Sequence, residues 1–218
     1  MTYEAIRQDD AIQVYITQAD ASLQALGFTE HSFPHVTRVA KIAGNILQQL
    51  GYADRECELA RIAGYLHDIG NVVNRIDHSQ SGAVMAFRIL DKMDFPPQEI
   101  AAIVTAIGNH DEGTGVPVSP LAAALIIADK SDVRRSRVRK AADITEDIHD
   151  RVNYAVTHSD LIVNAQDKTI TLSLTLDLSV SPMMEYFEIF TKRMILCKTA
   201  AKKLGLRFHL CINEQLLV

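Results

Sequence analysis

Gly64-Tyr65-Leu66-His67-Asp68-Ile69-Gly70 is the stretch that decides the reading of this 218-residue chain. It closes a segment that opens at Asp54, a candidate helix cap. Within it Leu59, Ile62, Ala63 and Leu66 recur at the three-and-four spacing of a buried helical stripe. The adjacent imidazole and carboxylate leave the helix about 100° apart, and both reach one site if it lies off the helix end. Buried there, each needs a partner.

Working outward, other metal-capable side chains also stand at helix ends. His35 opens a helix over 35–50, whose stripe is Val36, Val39, Ala40, Ala43, Ile46, Leu47 and Leu50. His78 precedes a helix over 79–93. His110 ends one that begins at Pro96-Pro97. Asp129 follows the apolar run LAAALIIA of residues 121–128, in a helix opened by Ser119-Pro120. A carboxylate in so apolar a stretch needs a partner. Imidazole and carboxylate together suit a divalent ion such as Fe, Mn, Zn or Mg. His31, four residues before His35, is a competing ligand.

The remaining chain reads as a helix over 3–26 and a Gly/Pro-rich loop over 111–120, with a further helix from Thr145 to about 155. Residues 161–178 then alternate as a β-hairpin around Asn164–Lys168, with Ile170, Leu172, Leu174, Leu176 and Leu178 on one face. A long helix from Ser181-Pro182 to Leu204 and a third strand over 206–212 follow. The fold expected is mainly α: an all-α domain over 1–155 and a small α+β portion over 156–218.

Hydrophobic residues make up 48% of the chain and charged residues 22%, enough for a real core under an ordinary polar surface. A formal net charge of −5 gives no global attraction to nucleic acid or to anionic membranes, so a phosphorylated ligand needs local positive charge. Cys57, Cys197 and Cys211 are scattered and form no CxxC pair. With no signal pattern at the N-terminus, this leads us to expect a cytoplasmic protein. The 121–128 run is too short to span a bilayer. The apolar hairpin is able to pair with a second copy, so a homodimer is an expectation.

The five elements together resemble the HD superfamily of metal-dependent phosphohydrolases. His35-Val36-Thr37-Arg38-Val39-Ala40 is similar to its opening H-x-x-R-V-A helix, and residues 64–70 to its L-H-D-I-G core. His78-Ser79-Gln80-Ser81-Gly82-Ala83 resembles the H-x-x-x-G-A element of its two-metal members. Asn109-His110-Asp111-Glu112 stands at the next histidine element, and Ile127–Asp132 resembles the closing A-D-x-x-D helix. The resemblance implies an HD helical core with a first metal on His35, His67, Asp68 and Asp129. A second would sit on His78 and His110, with Asp68 bridging. It further implies that Asp68 and the metals activate water to hydrolyse a phosphate ester or anhydride, on a nucleotide or similar small molecule.

Where many members read H-D-I-G-K, this chain has Asn71, an amide that hydrogen-bonds but supplies no charge. Asn71, Arg75, Lys130 and Arg134 are the candidate substrate contacts. If the helix that carries Asp129 continues, Lys130, Arg134 and Arg137 share one stripe of the basic run 130–140. Two rival readings keep the fold: a di-iron oxygenase, as in the inositol oxygenases, and a non-enzymatic metal- or nucleotide-binding sensor. The complete ligand set favours an enzyme.

Overall fold

In the computed structural model, which describes residues 1–139 and 147–217, local chemistry sets the helix ends. The segment 3–26 forms two helices, α1 (Tyr3–Arg7) and α2 (Asp10–Ala25), rather than one. Asp9 divides them: its carboxylate accepts from the Ile12 N–H at 3.0 Å and caps a new helix. α3 (Phe33–Gln49) begins two residues before His35, with Pro34 in its first turn. In α4 (Asp54–Leu66), Asp54 is the first helical residue and not the cap. Glu56 closes that end by accepting from the Ala53 N–H at 3.2 Å. α5 (His78–Lys92), α6 (Pro97–Gly108) and α7 (Pro120–Lys130) fall close to their expected bounds.

Helix α7 is buried from Leu121 to Lys130, as a helix apolar on nearly all sides must be. It ends at Lys130, and Arg135–Arg137 form a separate 3-10 turn. Lys130, Arg134 and Arg137 therefore do not share a helical stripe. The chain turns because the Ser131 hydroxyl bonds back to the Ala128 carbonyl at 3.0 Å and the Arg134 Nε reaches Asp132 at 2.8 Å. Asp147 caps α8 (Ile148–Ala155). The expected start of that helix at Thr145 and Glu146 lies outside the described residues, as does Lys140.

From residue 156 an all-α description no longer fits. β1 (Val156–Asn164) and β2 (Thr169–Leu176) form the expected antiparallel hairpin. α9 (Met183–Lys203) then crosses back so that β3 (Arg207–Ile212) lies parallel to β2, a pairing that needs such a connection. β4 (Gln215–Leu216) completes a sheet of order β1-β2-β3-β4. Ile170, Leu172, Leu174 and Leu176 face the core, whereas Leu178 lies past the end of β2 and is exposed. One contiguous core joins Val39, Leu66 and Ile127 of the helical body to Leu172, Phe190 and Leu210 of the C-terminal portion. No helix among the described residues is long and apolar enough to cross a membrane.

Candidate metal centre

Two glycines bring the elements of the centre close together. A Cβ on Gly64 would stand 2.7 Å from the Ala40 Cα, so the backbones of α3 and α4 approach there as only glycine permits. That approach sets His35 beside His67. A Cβ on Gly70 would meet the His78 carbonyl oxygen at 2.0 Å and the Gly82 nitrogen at 2.4 Å. The turn after Asp68 is thereby pressed onto the start of α5. Asp77, in the left-handed region at φ 56°, turns the chain into that helix, and His78 is its first residue.

His35, His67, Asp68, His78, His110 and Asp129 are all buried and converge. His35 Nε2 lies 3.3 Å from His67 Nε2, 3.6 Å from Asp68 Oδ2 and 3.4 Å from Asp129 Oδ1. His67 Nε2 lies 3.4 Å from Asp68 Oδ2 and 3.6 Å from Asp129 Oδ1. Five of the separations among these four atoms thus lie between 3.3 and 3.6 Å. The other oxygen of Asp68 faces the other histidine pair: Oδ1 is 3.4 Å from His78 Nε2 and 3.9 Å from His110 Nε2, and those two nitrogens are 3.3 Å apart.

The hydrogen bonds on the far side of each ring test whether a cation fits. Nδ1 of His67, His78 and His110 donates to the carbonyls of Gly64 (2.8 Å), Arg75 (3.0 Å) and Ile107 (2.7 Å). His35 Nδ1 donates to Asp132 at 2.7 Å. A carbonyl only accepts, so the neutral rings carry their proton on Nδ1 and turn the Nε2 lone pair inward. Once His67 gives up its second proton, four Nε2 lone pairs and two carboxylates face one another, with the outer nitrogens anchored, a donor set that matches a divalent cation. His35, His67 and Asp129, and also His67, Asp68 and His110, each place ligand atoms within 4.8 Å of one another.

The charges tell the same story. Burial opposes ionisation of Asp68 and Asp129, yet neighbouring positive groups, led by His67 for Asp68 and by Lys130 for Asp129, hold both well below the usual carboxylate range. Burial also opposes the charge on His67, but Asp68 and Asp129 outweigh it and push the imidazole up to about 10. Burial and the His67 and Lys130 charges push His110 down to about 3. His67 and Lys130 thus supply positive charge beside the two carboxylates.

The substrate candidates separate. Asn71 is buried, and its amide donates to Asp68 Oδ1 at 3.0 Å and to the Asp68 carbonyl at 2.9 Å. It holds the carboxylate instead of lining the cleft. Arg75 lines a cleft of about 420 Å³ beside the centre, together with His31, Asp111, Glu112, Arg137 and Arg193. Lys130 is buried, with its ammonium 2.5 Å from Asp129 Oδ2 and 3.8 Å from Glu112. Arg134 borders a different groove, with Phe33, Pro34 and Arg38, and is paired with Asp132 and Glu30.

His31 stacks edge-on against His35 at 5.4 Å and bonds to the Thr29 carbonyl, outside the ligand set. Sequence reasoning passed over Asp111, whose Oδ1 is 3.9 Å from His78 Nε2. Its signal was a second His-Asp pair, His110-Asp111, just past a helix end.

The HD domain family matches residues 33–148, over half of the chain, and the chain belongs to that family. It is 24% identical over 162 residues to an uncharacterized protein of Methanocaldococcus jannaschii, covering 64% of this chain and 62% of that relative. The chain thus spans less than two thirds of the length of that curated relative. A crystal structure of a predicted HD superfamily hydrolase from an uncultured Thermotogales bacterium is similar at 26% identity with a TM-score of 0.45. The match covers 57% of this chain and 67% of that one.

Proposed function

We propose that this protein is a cytoplasmic, metal-dependent phosphohydrolase with a two-metal centre, acting on a nucleotide or a similar small phosphorylated compound. The observation that carries the reading is the division of Asp68: Oδ2 faces His35 and His67, and Oδ1 faces His78 and His110. A carboxylate so placed is suited to bridge two ions. His35, His67 and Asp129 would complete the first set of ligands. His78 and His110 would complete the second.

Divalent ions bound there supply Lewis-acid activation of water and stabilise charge on phosphoryl oxygens. The chain does the rest. Asn71 fixes the angle of Asp68 through its two hydrogen bonds. Arg75, at the cleft wall, offers a planar donor to a phosphoryl group. Lys130 partly neutralises Asp129 through the oxygen not turned toward His35. A cleft of about 420 Å³ is of a size to admit a nucleotide. The three cysteines are free thiols, which suits a reducing compartment.

A phosphate-release screen over nucleotides and other small phosphorylated compounds tests the reading, run with protein loaded in turn with Mn, Fe, Zn and Mg. Release by the wild type and its loss in Asp68→Asn support it. Release that survives in Asp68→Asn, or no release with any metal, counts against it.

A further inference from the structure

Arg75 grips His78 from both ends. Its backbone carbonyl accepts from His78 Nδ1 at 3.0 Å, and its side-chain Nη1 lies 3.3 Å from His78 Nε2. The first bond places the ring proton on Nδ1, so Nε2 presents its lone pair and the guanidinium donates into it. An imidazole nitrogen has one such pair. Either the Arg75 N–H or a metal ion takes it.

We infer that Arg75 is a built-in competitor for the second metal position, and that an anionic ligand in the cleft relieves the competition. The inference rests on the two-metal reading of the site.

Three observations argue for it. A cationic side chain competes at one histidine pair only. Among the described residues, no cation donates to His35 Nε2 or His67 Nε2. Lys130, a second cation near the centre, touches Asp129 Oδ2, whereas the oxygen facing His35 and His67 is Oδ1. It neutralises without blocking.

The second observation is that Arg75 has somewhere to go. Its guanidinium already contacts Asn71 Oδ1 at 3.4 Å and lies over the exposed Phe28 ring at 5.5 Å, on the wall of the cleft. A short swing about the side chain keeps the aromatic contact and gives up His78. The third is chemical. A guanidinium prefers a phosphoryl oxygen pair to a neutral imidazole, because two charge-assisted bonds replace one uncharged acceptor. A phosphorylated ligand entering the cleft thus draws Arg75 off His78 and frees Nε2. The first ion has no side chain to displace, and the second binds tightly once an anion is present.

Titration of metal-free protein with Mn²⁺, and in parallel with Zn²⁺, tests this by calorimetry, with bound ions counted after dialysis. The wild type is expected to take one ion tightly and a second more weakly. Arg75→Met keeps the length of the side chain and removes its donors. It should tighten the second ion by roughly tenfold or more, the worth of a hydrogen bond from a charged group. The first-ion affinity should stay the same, which also shows that the variant is folded. Inorganic phosphate should tighten the second ion in the wild type, and clearly less in Arg75→Met.

A second-ion affinity that is unchanged or weaker in Arg75→Met overturns the role of Arg75 and leaves the two-metal reading standing. Equal tightening by phosphate in both proteins overturns the coupling. One ion per chain in every protein, with or without phosphate, overturns the two-metal reading itself.

Discussion

Asp132 accepts a hydrogen bond from His35 Nδ1 at 2.7 Å, and both side chains are fully buried. The two residues are far apart in the chain. The bond fixes the tautomer that turns His35 Nε2 toward His67 and the carboxylates. Arg38 Nε at 3.1 Å and Arg134 Nε at 2.8 Å share the same carboxylate, and Arg137 donates to the Asp132 carbonyl at 2.9 Å. Asp132→Asn should weaken binding of the first metal by about 10- to 100-fold, the usual cost of losing such an outer partner. It should also lower the unfolding free energy by roughly 3 kcal/mol, because buried arginine charge loses its counter-ion. Metal titration and thermal unfolding of the same variant check the two effects separately.

Metal uptake should depend on pH through His67. In the metal-free protein Asp68 and Asp129 overcome burial and raise this imidazole to about 10, so it is protonated at neutral pH. A metal must displace that proton. Apparent affinity should rise about tenfold per pH unit between 7 and 9 and level off above about 10. The sign for stability is opposite. A folded-state pKa raised above the ordinary 6.5 stabilises the metal-free protein fully below 6.5, and that stability is lost as pH rises through about 10. Metal-free protein should therefore melt at lower temperature at pH 9 than at pH 7, and metal-loaded protein should show the smaller change. Affinity that is flat over this range would contradict the assignment of His67 as a ligand.

Asn71 follows His67-Asp68-Ile69-Gly70 directly, and its amide holds Asp68. Asn71→Ala should lower kcat by about tenfold, as loss of one positioning hydrogen bond does, with KM nearly unchanged. Steady-state kinetics on any substrate found in the screen separates this from direct substrate contact, which would raise KM.

Gly70→Ala should destabilise the protein by roughly 2–3 kcal/mol, since the added methyl meets the fixed backbone of His78 and Gly82 before it meets the Ser81 hydroxyl. Thermal unfolding reports it. Because Gly70 joins the turn after Asp68 to the start of α5, partial recovery with excess metal is expected.

Much of this was legible from one sequence because the candidate ligands are tied to helix ends. A buried stripe that stops at His67-Asp68, and a carboxylate after LAAALIIA, declare themselves by the cost of burying charge without a partner. What the sequence concealed depends on geometry across elements. No periodicity reveals that Asp9 caps a new helix inside 3–26, or that Ser131 ends α7 and takes Arg134 off the cleft. Asn71 and Arg75 both looked like phosphate contacts. Only their hydrogen bonds separate the residue that holds Asp68 from the one that grips His78. The strands were legible from their alternation, but the parallel return of β3 was not, because pairing direction is set by where α9 crosses.

Two ion positions joined by Asp68 have a direct consequence for elemental analysis of protein purified without chelator and supplied with inorganic phosphate, beside His78→Ala/His110→Ala. Two ions per chain are expected in the wild type and one in the double variant, still held by His35, His67, Asp68 and Asp129. The same single ion in both proteins would contradict this arrangement.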